Sequence, residues 1–181
     1  MAVSDDAIIA LLQDETHKRK GFELLLDKYK ERLYWHVRRM VHSHEDTDDL
    51  LQEIFVKVWR NLGKFRGDSK LYTWLYRIAT NESITFINRN KRMTVVGMEQ
   101  GDMNIEETLE ADPFFEGNAI QLKLKSAIER LPEKQRLVFN MRYYDEMKYD
   151  EMSEVLDTSV GALKASYHHA VKKIEEYLKA G

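Results

Sequence analysis

The chain of 181 residues contains no cysteine, which excludes a disulfide framework and any thiolate metal site and points to a reducing compartment. It has only two prolines, Pro113 and Pro132, and no segment shows the alternating pattern and flanking turns of a strand. No apolar run approaches the roughly 18–20 residues that span a bilayer. The N-terminus, MAVSDDAIIALLQDETHKRK, places acids before a short apolar run and lacks the basic, apolar and small-residue order of an export signal. A soluble, cytoplasmic protein without membrane insertion is expected. Net positive charge is also missing: 28 Lys and Arg stand against 31 Asp and Glu, a balance of −3. Taken alone, that balance argues against a nucleic-acid binder.

What is present changes this reading. Residues 1–92 hold 17 basic and 14 acidic side chains, residues 119–181 hold 11 and 10, and residues 93–118 hold 7 acids and no base. The negative charge therefore belongs to one segment, which also carries Gly97, Gly101, Pro113 and Gly117 and no helical period. It reads as a flexible acidic linker between two small domains. At about 3.3–3.6 Å per residue, its 26 residues could hold two DNA-binding modules on separate sites.

Both flanking parts read as helical, and the expected class is all-α: an N-terminal helical bundle over 1–92 and a four-helix helix-turn-helix domain over 119–181. Ser4, Asp5 and Asp6 cap a short helix to about Gln13. A longer helix is expected from Gly21, with Phe22, Leu25, Leu26, Tyr29, Leu33, Val37 and Val41 on one stripe. The next carries Leu51, Ile54, Phe55, Val58 and Leu62 and ends near Gly63, a candidate C-cap. Asp68 or Ser69 is a candidate N-cap for a helix to about Lys91, with Leu71, Leu75 and Ile78 toward the core. Beyond the linker, Ile120, Leu124, Ile128 and Leu131 form a stripe, Pro132 opens a helix carrying Leu137, Val138, Met141 and Tyr144, and helices follow over Tyr149–Leu156 and from Val160 to about Lys179. In that last pair Met152, Val155, Leu156, Val160, Leu163, Tyr167, Ala170, Ile174 and Leu178 are expected inward.

Three stretches carry candidate function. In FRGDSKLYTWLYR, Tyr72, Trp74 and Tyr76 alternate with Lys70 and Arg77, which suits stacking on unpaired bases beside phosphate neutralisation; burial of the same rings as core is the competing reading. The short helix, Asp157-Thr158-Ser159 turn and longer lysine-tailed helix match a helix-turn-helix, although any two short helices in a bundle can imitate that spacing. Its outward face offers Lys164, Ser166, His168, His169 and Lys172. Third, His44, Asp48 and Asp49 with Gln52 or Glu53 share a helical face that could hold a metal, or act as a capping turn or a negative patch for a basic partner. A duplex-binding dimeric regulator and an all-α metal-dependent nucleotide hydrolase are the competing functional classes.

The run DTDDLLQEIFVKVWRNLGKFRGDSKLYTWLYRIATNESITFINRNKR resembles region 2 of extracytoplasmic-function sigma factors, the small promoter-recognition subunits of bacterial RNA polymerase. LKSAIERLPEKQRLVFNMRYYDEMKYDEMSEVLDTSVGALKASYHHAVKKIEEYL is similar to their region 4, in the family's order and with a linker between.

The resemblance implies a non-enzymatic initiation factor without cofactor or metal. Asp48, Asp49, Leu50, Gln52, Glu53, Phe55 and Trp59 would dock on the clamp helices of the largest polymerase subunit, a negative surface against a basic one; the second domain would meet the flap of the second-largest subunit. The loop Phe65, Arg66, Gly67, Asp68, Ser69 and Lys70 would capture a base flipped from the minus-ten element, against a wall of Trp74, Arg77 and Asn81. Lys57, Arg60, Arg89, Lys91 and Arg92 would contact phosphates. Thr158, Ser159, Lys164, Ser166, His168, His169 and Lys172 would face the minus-thirty-five element. Where Ser166 and His169 stand, the family commonly has arginine, so fewer bidentate base contacts are expected; Asp157 replaces a usual turn glycine in a left-handed conformation. An anti-sigma factor is an expected partner, and the acidic linker is expected to thread the polymerase channels.

Overall fold

The computed structural model describes residues 3–95 and 117–181; the expected linker falls almost wholly outside them. The described residues form eight α-helices and one 3-10 turn, with no strand. They are α1 (Asp5–Gln13), α2 (Lys18–Val41), α3 (His44–Asn61), α4 (Leu71–Val95), α5 (Ala119–Glu129), α6 (Glu133–Tyr143), α7 (Tyr149–Leu156) and α8 (Val160–Ala180). Two compact units result, one centred on the helices before residue 92 and the other on those after residue 117.

In the first unit the Ser4 hydroxyl accepts from the Ala7 amide at 3.2 Å and caps α1. Asp14 turns the chain into α2: its carboxylate accepts from the Thr16 amide at 2.9 Å and lies 2.6 Å from His17 Nδ1. The His17 bond, followed by the Thr16 amide, holds the Asp14 carboxyl below its usual range. Helix α2 starts at Lys18 rather than at Gly21. Gly21 serves a different purpose, because a Cβ there would sit 2.9 Å from Leu11 Cβ and from the Leu12 amide nitrogen. Its missing side chain is what lets α1 lie close on α2. The Tyr29 hydroxyl donates to the Asp5 carboxylate, which Lys28 Nζ also meets at 2.7 Å. Burial first, then the hydrogen bond to Asp5 and its charge, pushes the Tyr29 phenol far above its usual range.

Leu25, Leu33 and Val37 of α2, Leu50, Ile54 and Val58 of α3, and Leu71, Leu75, Tyr76 and Ala79 of α4 are all 3% exposed or less and supply the core of this unit. Tyr76 is fully buried, so one of the three rings read as a stacking surface is core. α2 ends on His42 in a left-handed conformation, φ 64°, its amide bonded to the Arg38 carbonyl. α3 ends at Asn61 in the 3-10 turn Leu62–Lys64, so Gly63 lies inside a right-handed turn and is not a left-handed cap.

In the second unit Asn118 and Gln121 form a reciprocal capping box at the start of α5. Ala127, Ile128, Leu131, Phe139, Ala170 and Ile174 make the core, with Leu124, Tyr167, Val171 and Tyr177 against it. Three expected inward residues stay out. Ile120, in the first turn of α5, is 76% exposed. Tyr144, the C-cap of α6, is 37% exposed and lies edge-on to the exposed Tyr143 ring at 4.9 Å. Leu178 is 40% exposed, and Tyr177 takes its place, its hydroxyl 3.1 Å from Ser126 Oγ and its ring under Arg130. Phe139 fell outside the predicted stripe; its ring stacks between Tyr143 at 5.2 Å and Tyr167 at 5.6 Å. Pro132 stands at the N-cap of α6. Arg136 binds both the carbonyl and the carboxylate of Glu129.

Candidate functional site

Successive residues on a helix point about 100° apart, and α3 separates its faces on that rule. Ser43 caps its first turn by accepting from the Asp46 amide. Thr47, Leu50, Ile54 and Val58 are buried. Asp48, Asp49, Gln52, Glu53, Val56, Lys57, Trp59 and Arg60 are exposed, and Phe55 is half-buried at the border. The outward face is thus acidic in its first half and cationic in its second. Leu50, grouped with this face by the resemblance, is 3% exposed; it anchors the helix from beneath. Trp59 is 41% exposed and rests edge-on against Phe22 of α2 at 5.0 Å, with Lys18 Nζ 5.8 Å from its ring. His44 Nε2 lies 3.3 Å from Asp48, and its Nδ1 meets the Tyr34 hydroxyl. Both imidazole nitrogens are engaged, and no group of three or more His, Asp or Glu among the described residues converges as a metal set.

The loop between the 3-10 turn and α4 is pinned at its start. Phe65, half-buried, packs its ring on Trp74 at a centroid distance of 5.1 Å. Gly67 has φ 78° and open space around its Cβ position, so the glycine is there for its backbone conformation. Arg66, Asp68 and Lys70 are exposed and Ser69 is half-buried. α4 begins at Leu71, with the Lys70 carbonyl accepting from the Trp74 amide, so neither Asp68 nor Ser69 occupies the cap position. Trp74, Arg77, Asn81, Asn88 and Arg92 fall on one outward stripe that starts where the loop ends. Arg77 and Asn81 carry no side-chain partner among the described residues. Lys57 is different: it is committed to an ion pair with Glu82 of α4. Arg60 is exposed on α3, Arg89 lies over the Phe86 ring at 5.6 Å, and Lys91 is exposed beyond it.

Beyond α6, the eight-residue α7, a short turn and the longer α8 follow one another in the order of a helix-turn-helix. Asp157 adopts φ 49° in the turn, and the Ser159 hydroxyl caps α8 by accepting from the Ala162 amide at 3.3 Å. Thr158 is half-buried. Lys164, His168, His169 and Lys172 are exposed on α8, while Ser166 lies on its flank and is half-buried. Lys164 Nζ reaches the Tyr149 ring of α7 at 5.8 Å, and Arg142 of α6 covers the same ring at 5.2 Å.

Three residues join these surfaces without having been singled out. Val56, 50% exposed within the acidic face of α3, was recoverable from its spacing of three from Glu53. Glu82 and Tyr149, which hold Lys57 and Lys164, were not, because both contacts join residues far apart in sequence.

Residues 25–93 match the family described as Sigma-70 region 2, and residues 121–174 match Sigma-70, region 4. The chain is 32% identical to the ECF RNA polymerase sigma-E factor of Escherichia coli strain K12 over 172 residues, 87% of this chain and 86% of that one. It is 29% identical to the RNA polymerase sigma-H factor of Pseudomonas aeruginosa over 177 residues, 89% and 88% of the two chains. Among solved structures it is similar to the sigma factor RpoE from Bartonella quintana, crystallised with the anti-sigma factor NepR, with a TM-score of 0.72 and 21% identity over 88% of this chain and 98% of that one. At that identity the likeness is one of fold. Both halves of the chain, in this order, therefore place it in the sigma-70 family as an extracytoplasmic-function factor for transcription initiation by RNA polymerase.

Proposed function

We propose that this factor opens its promoters by capturing a flipped non-template base in the Phe65–Lys70 loop. The observation that carries the reading is the continuity of an exposed loop, shaped by a left-handed Gly67 and anchored by Phe65 on Trp74, with the exposed Arg77 and Asn81 of α4, which carry no side-chain partner among the described residues. Extruding a base costs a few kcal/mol, and a pocket that binds its edge offsets that cost for the right base only. Melting and reading become one event. Arg60, Arg89 and Arg92 supply phosphate contacts, while Lys57 acts mainly through Glu82.

In the same reading, residues 1–92 form the minus-ten domain and residues 119–181 the minus-thirty-five domain. Asp48, Asp49, Gln52 and Glu53, with Val56 and Trp59 beside them, dock on the basic clamp helices of core polymerase, and the second domain meets the flap. The outward side of α8 faces the major groove. The B. quintana factor was crystallised with an anti-sigma factor, and a partner of that kind, acting in the cytoplasm, is proposed here too.

Run-off transcription with purified core polymerase tests the capture step. Alanine at Asp68, Ser69 or Asn81 is expected to lower open-complex formation on duplex templates, to be rescued by a premelted template, and to leave core binding intact. Equal loss of core binding and opening would make the loop structural.

A further inference from the structure

The turn between α2 and α3 brings three reactive side chains into one line. α2 ends on the left-handed His42, Ser43 caps α3, and the reversal lays His44, the first residue of α3, against Tyr34 of α2. The two rings stand 5.9 Å apart, and the Tyr34 hydroxyl meets His44 Nδ1. Four residues on, and so on the same face of α3, Asp48 Oδ2 lies 3.3 Å from His44 Nε2. A carboxylate only accepts, so a neutral His44 turns its Nε2 proton to Asp48 and keeps its lone pair on Nδ1. Tyr34 is then the donor to that lone pair. The order hydroxyl, imidazole, carboxylate is that of a nucleophile, its base and the group that orients the base.

The line is open to solvent: the His44 and Asp48 side chains are half exposed and Tyr34 is half-buried. The exposed Trp35 stands edge-on to the Tyr34 ring at 5.1 Å and offers an apolar surface beside the phenol. The local charge selects the electrophile. Glu45, Asp48 and Asp49 are exposed in the first turns of α3, with Asp46 half-buried among them. Arg38, one turn on from Tyr34, is drawn to the His42 carbonyl. Such a surface repels phosphoryl donors, which bring negative charge to the reacting centre, and accepts a neutral acyl carbon.

We propose that Tyr34 is an activated nucleophile and a modification site, which takes an acyl group from a neutral ester or thioester. Tyr34 Oη attacks the carbonyl carbon while its proton passes to His44 Nδ1. The bond from that carbon to the leaving oxygen or sulfur breaks with its electron pair, and the leaving group takes the proton from His44. The products are an O-acyl tyrosine and a free alcohol or thiol, and nothing is oxidised or reduced. A modified Tyr34 no longer donates to His44 and carries bulk beside the acidic face of α3. Resting on the docking reading above, acylation and core binding therefore exclude one another.

The probe is p-nitrophenyl acetate, applied to the full chain at about pH 7, where an ordinary phenol is protonated. Peptide mass mapping then follows the acetylation of each tyrosine. Tyr34 is expected to react about a hundredfold faster than the exposed Tyr143 and Tyr144, the low end of what a positioned base contributes. His44→Ala and His44→Gln should each bring Tyr34 down to that reference rate. Asp48→Asn should lose part of the rate and Asp48→Glu, which keeps the carboxylate, should regain it. In holoenzyme assembled with core polymerase before the probe is added, Tyr34 should be protected. A wild-type Tyr34 no faster than the references, or a rate that survives loss of His44, overturns the site and leaves the docking reading standing. Fast acetylation of the free chain that holoenzyme does not slow overturns the exclusion and the docking face with it, while the nucleophile stands.

Discussion

The imidazole Nε2 of His36 lies 2.8 Å from the hydroxyl of Thr80, joining α2 to α4 inside the core of the first unit. Both residues are buried, at 1% and 0% exposure, and the imidazole also packs 4.8 Å from the Tyr76 ring. Thr80 directly precedes Asn81, so this bond fixes the rotation of α4 that turns Asn81 outward. Removing one partner of a buried hydrogen bond leaves the other desolvated and unmet, at about 1–3 kcal/mol. Thr80→Val keeps the shape and is expected to lower unfolding free energy by that amount in urea titration, while Thr80→Ser retains most of it. A valine variant as stable as wild type would show that the bond contributes nothing net.

Gly21 gives a second stability prediction, in which two effects oppose. Alanine is better than glycine inside a helix by about 1 kcal/mol. Its Cβ, however, would meet Leu11 Cβ and the Leu12 backbone at 2.9 Å, and forcing two helices apart costs about 1–3 kcal/mol. One close contact is to backbone, which cannot swing aside, so the steric cost should win. Gly21→Ala is expected to lower the thermal midpoint and to speed hydrogen exchange of α1 amides ahead of the rest of the unit.

Glu129 makes stability depend on pH in the second unit. Burial raises its carboxyl above the usual range, with Arg136 and Lys125 opposing. A carboxyl with a raised folded value holds its proton longer in the native state. Its contribution is therefore fully present below the unfolded value and declines as pH rises through the folded one. Glu129→Gln keeps the backbone carbonyl that Arg136 also uses and removes the titration. Urea midpoints of wild type and variant, measured at about pH 4.5 and pH 7, are expected to move in the variant's favour at the higher pH. A difference between the two proteins that does not change with pH would show that Glu129 titrates alike folded and unfolded.

The helices were legible in the sequence because their apolar residues recur at three and four, and the cap at Ser4 follows from local chemistry; the caps at Asn118 and Ser159 emerged from the structure. What periodicity could not resolve was the choice between two side chains that satisfy it equally. Tyr177 and Leu178 both fall beside Ile174; the tyrosine goes inward because its hydroxyl finds Ser126 and its ring finds Arg130. Tyr76 looked like part of a nucleic-acid surface because cations flank it in sequence, yet His36 and the α2 side chains bury it. Left-handed backbone at His42 and Glu146 gave no glycine signal. At the candidate site the loop and the outward stripe were readable, whereas the ion pair that commits Lys57 to Glu82 spans 25 residues and leaves no local trace.

The two sides of α3 separate docking from folding in a single experiment. Asp49 and Glu53 are exposed and Leu50, one step from Asp49, is 3% exposed. Charges at the rim of an interface act mainly on encounter. The pair Asp49→Ala, Glu53→Ala is therefore expected to slow association with core polymerase about tenfold at low salt, with the difference shrinking as salt screens it, and to leave urea stability within about 0.5 kcal/mol. Leu50→Ala opens a cavity under the same helix and should cost about 2–5 kcal/mol of stability, while its folded fraction binds core as wild type does. Stopped-flow association and urea titration on the same samples measure both effects. If Leu50→Ala weakens core binding without destabilising the fold, the helix must turn that residue outward on the polymerase, and the acidic face alone is not the docking surface.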